Sequence, residues 1–357
     1  MRVVHYYRDL TRPSGVTAAI RGWQRETIAA GVESIALHND DPGSWELPHT
    51  VVPHSGSGRQ GQKPHLTSYL KPGDVLVLHE GWVTANYAAA RQARRMGVPY
   101  IVVPHGVYEP QVMAGLKFAN LRRWILETQF VKGAAASHIF YQSEASLVEA
   151  IWPAAVTFAL PTGFESADSS WTPGGEYLAW FGRYDLNHKG LDRLLFGYAL
   201  VPTQRRLPLK LRGIDYNGGK VQLIELVRRL GLTEWVDVGP PLAENEKAEF
   251  LCSARAFVFP SRWESQGIAL IEALAMGVPA LVSDSIQLSG SLMAANAALV
   301  SSFGNPAAVA AGLEEVASAD HLSASGQEFV LESLNWSRLA ALYKAELERI
   351  AFNASNS

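Results

Sequence analysis

Residues 257–279 read FVFPSRWESQGIALIEALAMGVP. This pattern predicts a short apolar strand, a polar turn, and a helix that begins near Gly267 and ends at Gly277-Val278-Pro279. Glu264 and Glu272 stand on either side of the turn. On one continuous helix their spacing would separate them by roughly 12 Å and rotate them by about 80°, so they would not share a face. We therefore place Glu264 in the loop before the helix and Glu272 in its second turn.

The start of this helix predicts an anion-binding position. The first backbone amides of a helix have no partner within it, and the helix dipole favours negative charge there. The amides of Gly267 and Ile268 are in this position, directly after the turn residues Ser265 and Gln266. A ligand with phosphates in its middle and hydroxyls at both ends would suit an anion site flanked by two carboxylates. A nucleotide diphosphate sugar has this layout.

The motif resembles a known signature. Glu-x7-Glu, preceded by Phe-Pro-Ser and followed by Glu-Ala-Leu-Ala-Met-Gly-x-Pro, is similar to the donor site of the family 4 retaining glycosyltransferases of GT-B fold. The resemblance implies two Rossmann-like domains whose parallel sheets face a central cleft. It also implies that Glu264 accepts hydrogen bonds from sugar hydroxyls and Glu272 from the ribose. The alternative is an ordinary helix with a charged start.

The length and patterning of the chain favour the same architecture. At 357 residues the chain exceeds what one hydrophobic core usually serves. Strand-like runs alternate with helical patterns, which is typical of α/β folds with parallel sheets. We predict an acceptor-side domain at residues 1–165, a nucleotide-sugar domain at 166–335, and a terminal helix at 336–357 that crosses back to the first domain. The Ser- and Gly-rich segment 165–176 would link the two domains.

Composition excludes several functional classes. A hydrophobic content of 48%, a charged content of 18% and a net charge of −3 describe a globular enzyme and give no reason to expect nucleic acid as a partner. The only cysteine, Cys252, excludes a cysteine-clustered zinc site. No Asp-x-Asp occurs, so the metal-binding signature of the other large glycosyltransferase fold is missing, and we expect no required metal. We expect the nucleotide sugar as co-substrate and no further cofactor.

Three loops in the first domain follow predicted strands, where ligands bind in open α/β sheets. The loop after the first strand contains Gly15, which would let an amide approach a phosphate or would be a plain turn glycine. The third strand ends at His79, whose role we leave open. The segment Pro-His-Gly-Val-Tyr-Glu-Pro resembles a family segment whose histidine, here His105, lies near the reacting sugar carbon. The alternative is a structural histidine that bonds its own loop.

The second domain supplies the predicted cations. Gly182 and Arg183 are followed by Lys189-Gly190, which resembles the Gly-Arg…Lys-Gly segment that clamps the donor diphosphate in the family. Such cations would neutralise a departing nucleotide diphosphate, although an ordinary surface pair is the alternative. A phosphate-binding P-loop near Gly213 is rejected, because Gly219 stands where its lysine belongs. The remaining predicted donor contacts lie in loops that the family places near the base: Arg212, Gly213 and Leu242.

Two segments of the first domain suggest an acceptor. The polar stretch 39–72 is predicted to be an acceptor-side loop. The predicted helix 111–132 interleaves Lys117, Phe118 and Trp124 with arginines, which would suit either a membrane surface and a glycolipid acceptor or plain packing on the sheet. Because the chain has neither a leader pattern nor a long apolar run, we expect it in the cytoplasm, free or at the inner face of the membrane.

The predicted reaction is hexose transfer from a nucleotide diphosphate sugar to an acceptor hydroxyl, in polysaccharide or glycoconjugate biosynthesis. The resemblance implies retention, by a covalent intermediate or by same-face attack; no carboxylate in the motifs is placed as a nucleophile, which favours the second route. A nucleotide-sugar epimerase of the same fold and a non-catalytic nucleotide-sugar-binding protein are the alternatives. An oxidoreductase is disfavoured because no Gly-x-Gly-x-x-Gly follows a strand.

Overall fold

The computed structural model describes residues 1–11, 14–40, 43, 45–56, 61–114, 121–164 and 169–355. The chain divides into two compact units. One consists of Met1–Gly163 with Trp336–Ser357, and the other of Phe164–Asn335. The predicted boundary at residue 165, and the first part of the predicted linker, lie outside the described residues. Both units are α/β with parallel sheets, so the predicted fold class is confirmed.

The first unit is built on one parallel sheet. Its strands are β1 (Arg2–Tyr6), β2 (Glu33–His38), β3 (His49–Val51), β4 (His54–Ser55), β5 (Lys63–Pro64), β6 (Asp74–His79), β7 (Tyr100–Val103), β8 (Ala136–Ile139) and β9 (Thr157–Ala159). Its helices up to the second unit are α1 (Gly15–Ala29), α2 (Thr84–Arg95), α3 (Pro110–Ala114), α4 (Leu121–Lys132) and α5 (Ala145–Glu149), with a 3₁₀ turn at Gln142–Glu144. Seven strands pair in the order β3-β2-β1-β6-β7-β8-β9, and β4 and β5 form an antiparallel pair.

The strand order creates a crevice at one end of this sheet. The chain proceeds from β1 outward to β3 and then returns to the other side of β1 with β6. Loops that follow β1 and β6 therefore leave the sheet in opposite directions, and such a switch point is where open α/β sheets bind ligands. Every residue of β6 and β7 is buried, as expected for central strands covered by helices on both faces.

Two sequence expectations in the first unit needed correction. The stretch 39–72 is not a single loop, because it contains β3, β4 and β5. Strands of two or three residues with mostly polar side chains have no clear hydrophobic alternation, and so the pattern did not reveal them. The described parts of the predicted helix 111–132 form two helices, α3 and α4. Lys117 and Phe118 lie outside the described residues.

The second unit repeats this organisation. Its strands are β10 (Leu178–Tyr184), β11 (Leu209–Asp215), β12 (Val236–Gly239), β13 (Ala256–Phe259), β14 (Ala280–Ser283) and β15 (Leu299–Ser301). Its helices are α6 (Leu186–Lys189), α7 (Leu191–Tyr198), α8 (Gly219–Arg229), α9 (Glu244–Cys252), α10 (Ile268–Ala275), α11 (Ser289–Ala294), α12 (Pro306–Val316) and α13 (Leu322–Ser333), with a 3₁₀ turn at Thr203–Arg205. The parallel order β12-β11-β10-β13-β14-β15 places the switch point between β10 and β13.

The terminal helix α14 (Trp336–Ser355) packs on the first unit. Trp23 of α1 contacts Trp336 edge-on, with ring centroids 5.1 Å apart, and Tyr343 at 4.4 Å. Leu347 and Ile350 lie in the same buried cluster as Val75 and Val77 of β6. Its apolar face therefore completes the core beneath the central strands of the first unit.

None of the described helices can be assigned as a membrane span. Among the described residues, no helix combines the length and the apolar character that crossing a bilayer requires.

The contact between α1 and α14 generates a stability prediction. A Cβ added at Gly22 would lie 2.3 Å from the Trp336 ring. We expect Gly22→Ala to lower the free energy of unfolding by about 1–3 kcal/mol, because the ring is buried and cannot move aside. Gly290→Ala is the matched control, since Gly290 is exposed on α11 with no atom within 4 Å, and alanine there should stabilise by about 0.5–1 kcal/mol. Urea unfolding of both variants measures the difference; equal effects would contradict the packing.

Candidate active site

The switch point of the second unit brings two polar loops together. The loop after β10 forms α6, where the Asp185 side chain accepts a hydrogen bond from the His188 amide at 3.0 Å. Gly190 ends this helix with a φ of 63°, a left-handed conformation that favours glycine. A Cβ at this position would lie 2.0 Å from the carbonyl oxygen of Pro260, in the loop after β13. The absence of a side chain therefore lets the two loops pack backbone against backbone.

A charged pair joins these loops. The ammonium of Lys189 donates to Oε1 of Glu264, and the Ser261 hydroxyl donates to the same oxygen at 2.8 Å. The Lys189 and Glu264 side chains are only 16% and 12% exposed. Burial raises the pKa of the Glu264 carboxyl, but attraction to Lys189 and His188 and the two hydrogen bonds outweigh burial, and the pKa lies below its ordinary value. Glu264 is therefore held as a carboxylate.

The second glutamate of the motif lies in the second turn of α10, as predicted from its spacing. Lys247 of α9 contacts Glu272 at 3.1 Å. Burial raises the pKa of Glu272 and Lys247 offsets only part of that effect, so the pKa lies above its ordinary value. The Gly267 backbone caps the start of α10 in the left-handed region, without a side-chain hydrogen bond to the first turn. Ile268 begins the helix, so this end presents backbone amides between the two glutamates.

The two predicted cations make different contacts. Arg183 is exposed, and its guanidinium lies 4.8 Å from the ring centroid of Tyr216, in the loop after β11. Lys189 instead contacts Glu264. Gly182 and Gly213 lie side by side in β10 and β11, and a Cβ at Gly213 would meet the Gly182 carbonyl oxygen at 2.2 Å. These glycines let the two strand ends approach closely.

Two further predicted donor contacts lie elsewhere in the second unit. Arg212 bonds Asp237 of β12, with 2.6 Å between nitrogen and oxygen. Leu242 and Arg212 line one surface cavity together with Tyr177 and Phe250, and neither Glu264 nor Lys189 is part of its lining. Their predicted role near the base stays a prediction. Ser265 is half-buried and Gln266 buried in the turn before α10.

Sequence reasoning missed several supporting residues of this site. His188 stacks on Trp263 with ring centroids 4.6 Å apart and donates its Nε2–H to the Trp263 carbonyl at 2.9 Å. Arg262 bonds Asp192 of α7 at 2.6 Å. Both contacts fix the loop that carries Glu264. Ser261 and His188 stand inside the motifs quoted above, so proximity to a motif was an available signal; Lys247 had none.

The first unit places three histidines at its own switch point. His105 follows β7, and its Nε2 lies 2.9 Å from Nδ1 of His79 at the end of β6. His79 Nε2 in turn lies 3.0 Å from Nδ1 of His5 in β1. His105 therefore bonds a neighbouring strand end rather than its own loop, contrary to the alternative considered from sequence. Gly15 is the first residue of α1. Ser14 caps the start of this helix, because its side chain accepts a hydrogen bond from the Thr17 amide.

A buried carboxyl holds the histidine loops in place. Glu127 of α4 accepts hydrogen bonds from the hydroxyls of Tyr87 and Tyr108 and from the Trp82 amide at 2.8 Å. Burial raises the pKa of Glu127, and these three hydrogen bonds act in the opposite direction without cancelling it. Trp82 lies three residues after His79, the last residue of β6. Through Trp82, α4 therefore fixes the loop that begins after His79.

The charged groups in the described parts of the chain suggest no metal centre. No three His, Cys, Asp or Glu side chains there are grouped so that they would hold a metal ion. The expectation that no metal is required stays a prediction.

Comparison with known proteins supports glycosyl transfer as the activity. Residues 165–328 match the sequence model of the family described as "Glycosyl transferases group 1". The chain is 23% identical over 305 residues to a GDP-mannose:cellobiosyl-diphosphopolyprenol alpha-mannosyltransferase of Xanthomonas oryzae pv. oryzae, which covers 80% of this chain and 79% of that protein.

Solved structures show the same fold. Sucrose-phosphate synthase from Thermosynechococcus elongatus superposes with a TM-score of 0.80 at 20% identity, over 99% of this chain and 100% of that one. HepE of Anabaena in complex with UDP superposes with a TM-score of 0.78 at 14% identity, over 98% and 100%. The chain is a nucleotide-sugar glycosyltransferase with a GT-B fold, and both predictions are confirmed.

The Lys189–Glu264 pair generates a prediction about stability and pH. Without Lys189, the buried negative charge of Glu264 loses its ion-pair partner. We therefore expect Lys189→Met to lower the free energy of unfolding at pH 7 by about 3 kcal/mol. Wild-type Glu264 stays ionised at pH 5 because its pKa lies below the ordinary value. In the variant, burial would raise that pKa, so protonation at pH 5 relieves the buried charge.

The difference in free energy of unfolding between wild type and Lys189→Met should therefore narrow by about 1 kcal/mol between pH 7 and pH 5. Urea unfolding at both pH values measures it. Lys71→Met, at an exposed lysine, is the control and should show no such change. A gap that widens on acidification would contradict the assigned ionisation of Glu264.

Proposed function

We propose that this glycosyltransferase transfers a hexose from a nucleotide diphosphate sugar to an acceptor hydroxyl with retention of anomeric configuration, as the family 4 enzymes do. The contact of Lys189 with Glu264, beside the start of α10, carries this proposal. It joins a carboxylate that can accept from sugar hydroxyls to a cation that can hold phosphate. The same loops flank backbone amides with no side-chain cap.

The cations act on the leaving group. When the bond between the anomeric carbon and the β-phosphate oxygen breaks, negative charge grows on the diphosphate. Lys189, the exposed Arg183 and the amides at Gly267 and Ile268 would stabilise that charge more strongly in the transition state than in the bound substrate. Lys189 would then be shared between phosphate and Glu264, while Glu264 keeps its hydrogen bonds with the sugar.

Retention requires that the new bond form on the face the diphosphate leaves. We favour same-face attack, in which the acceptor hydroxyl gives its proton to an oxygen of the departing phosphate as its oxygen bonds to the anomeric carbon. A covalent glycosyl-enzyme intermediate is the alternative, and it would need a carboxylate as nucleophile. Glu264 is engaged by Lys189 and Ser261, which suits a hydrogen-bonding role rather than attack.

The relatives guide the choice of substrates. The mannosyltransferase named above uses GDP-mannose and a lipid-linked acceptor by its name. We therefore propose GDP-mannose as the first donor to test, within a panel of UDP-, GDP-, ADP- and dTDP-sugars screened by thermal shift. A sugar or glycolipid acceptor in polysaccharide or glycoconjugate biosynthesis follows from the same comparison.

Substitution at the charged pair tests the proposed site. With a donor found by that screen, we expect Glu264→Gln and Lys189→Ala each to lower kcat/KM for transfer at least about a hundredfold, as loss of one preorganised partner typically does. Glu225→Gln, at an exposed position of α8, is the matched control and should retain wild-type turnover. The assay is repeated with EDTA, where unchanged activity is expected.

The alternatives have separate outcomes in the same assay. A sugar isomer formed from donor alone would indicate an epimerase. Donor binding without transfer or release of free nucleotide would indicate a non-catalytic binding protein. Near wild-type turnover of Glu264→Gln would contradict the assigned site.

We further propose that α4 rests on a membrane surface. Leu121, Ile125 and Leu126 are exposed on one side of this helix, next to the exposed Arg122. On a helical projection these four residues span about 140°, while Glu127 and Phe130 occupy the buried side. The exposed Gln129 and Lys132 fall within the same arc. A mixed apolar and basic surface of this kind suits an anionic lipid surface, where a glycolipid acceptor would be found.

Vesicle binding tests this contact. The double variant Leu121→Gln/Ile125→Gln should bind anionic phospholipid vesicles about tenfold more weakly than wild type in a co-sedimentation assay, because two apolar side chains no longer enter the lipid interface. Val221→Gln is the matched control, since Val221 is equally exposed on α8 of the second unit. Wild-type protein that stays in the supernatant would contradict the proposal.

A further inference from the structure

Three histidines of the first unit, His5, His79 and His105, form a line of hydrogen bonds that the proposed donor contacts do not explain. His5 and His79 are 1% and 2% exposed, whereas His105 at the end of the line is partly exposed. The rings of His5 and His79 are stacked, with centroids 5.3 Å apart, and those of His79 and His105 are 5.2 Å apart. The line therefore runs from the buried centre of the sheet to its ligand-binding edge.

The charge state of the line limits how its protons are arranged. Burial lowers the pKa of both His5 and His105 to about 3, with His138 adding to the effect, and it also lowers the pKa of His79 well below its ordinary value. All three imidazoles are thus neutral near pH 7, and each carries one N–H. Two hydrogen bonds along three such rings allow only two arrangements. The N–H groups lie either all on Nδ1 or all on Nε2.

The inner end of the line decides between them. His5 Nε2 is buried and has no hydrogen-bond partner among the described residues. If all three protons were on Nε2, His5 would hold a buried N–H with nothing to accept it. With all three on Nδ1, the same atom is a lone pair. Buried N–H groups without a partner are rarer than acceptors that lack one, so the second arrangement is favoured.

The outer end of the line is held in a strained position. His105 has a φ of 54°, and Glu80 and Trp82 in the neighbouring loop have φ values of 71° and 60°. Such conformations cost free energy in residues other than glycine and tend to occur at functional sites. Phe140 packs edge-on against the His105 ring at 5.3 Å. The Nε2 atom of His105 is bonded to His79, and its Nδ1 atom has no hydrogen-bond partner among the described residues. Nδ1 is therefore the ring nitrogen that a ligand can contact.

We propose that His5 and His79 are positioning residues that lock His105 in its Nδ1–H form, so that His105 donates a hydrogen bond to an oxygen of the bound sugar. His79 acts directly, by filling the His105 Nε2 lone pair with its own N–H. His5 acts through His79 in the same way. The identity of the ligand rests on the proposed function; the arrangement of the protons does not.

Nitrogen NMR of the wild-type chain tests the arrangement directly. Long-range proton–nitrogen correlation of protein labelled with ¹⁵N-histidine distinguishes Nδ1–H from Nε2–H in each ring, and loss of one signal set in each of His5→Asn, His79→Asn and His105→Asn assigns them. We expect Nδ1–H in all three rings. Nε2–H in the three rings, or a charged imidazolium at pH 7, would overturn the inference.

Transfer kinetics test the consequence for the reaction. His79→Phe should lower kcat/KM about tenfold, the effect of one lost hydrogen bond, because His105 then no longer has a fixed N–H. Asparagine at position 105 carries its own N–H near the Nδ1 position and tolerates a positive φ. His105→Asn should therefore keep most of the activity, whereas His105→Asp, which can only accept, should lose it.

The double variant separates positioning from a purely structural role. In the His105→Asn background, His79→Phe should have little further effect, because the asparagine donor does not depend on His79. An equal tenfold loss in both backgrounds would overturn the inference. If His79→Phe does not fold, His79→Leu replaces it, and the wild-type spectrum stands independently of both. His65→Asn, at an exposed histidine, is the control.

These experiments keep the two proposals distinct. If no donor supports transfer, the spectra still decide the arrangement of the protons. If transfer is normal but the rings carry Nε2–H, the proposed function stands and the role of His5 and His79 is wrong.

Discussion

The approach of Gly190 to the Pro260 carbonyl is the contact on which the candidate site depends. Parallel neighbours β10 and β13 leave the sheet at the same edge, but only backbone packing at Gly190 brings their loops close enough for Lys189 to bond Glu264. Any side chain at position 190 would separate the loops and also meet an unfavourable φ. The charged pair is thus a consequence of strand order and of one missing Cβ.

The two sheets carry different kinds of polar side chain at equivalent edges. The edge of the second unit holds full charges, Lys189 and Arg183 with Glu264, and such charges suit a diphosphate that becomes more negative as it departs. The edge of the first unit holds neutral imidazoles in a buried line. Neutral donors can orient an oxygen without adding a buried charge, whose desolvation would cost several kcal/mol. The proposed ligand contacts therefore use full charges in the second unit and neutral donors in the first.

The sequence could predict the fold class and the position of Glu272 because both follow from periodicity, which is a local property. The strand, turn and helix around Glu264 were predicted for the same reason. The partners Lys247 and His5 could not be predicted, since they reach the site through tertiary packing between elements far apart in the chain. The contact of Arg183 with Tyr216 could not be predicted for the same reason, because Tyr216 belongs to another loop.

Strain in the first unit explains why its histidine loops need a buried carboxyl. Glu80, Trp82 and His105 all hold positive φ values, each at a cost of order 1–3 kcal/mol. Something must keep the loops from relaxing, and Glu127 does so by accepting from the Trp82 amide and from two tyrosines.

The same helix extends this restraint to the protein surface. Arg123 of α4 donates to the Trp82 carbonyl at 2.8 Å, so both the N–H and the carbonyl of that residue are held by α4. The apolar arc of Leu121 and Ile125 lies on the opposite side of the helix. Any contact made by that arc acts on the element that keeps the loop after His79 in place. The membrane contact proposed above therefore involves the helix that holds the loop after His79.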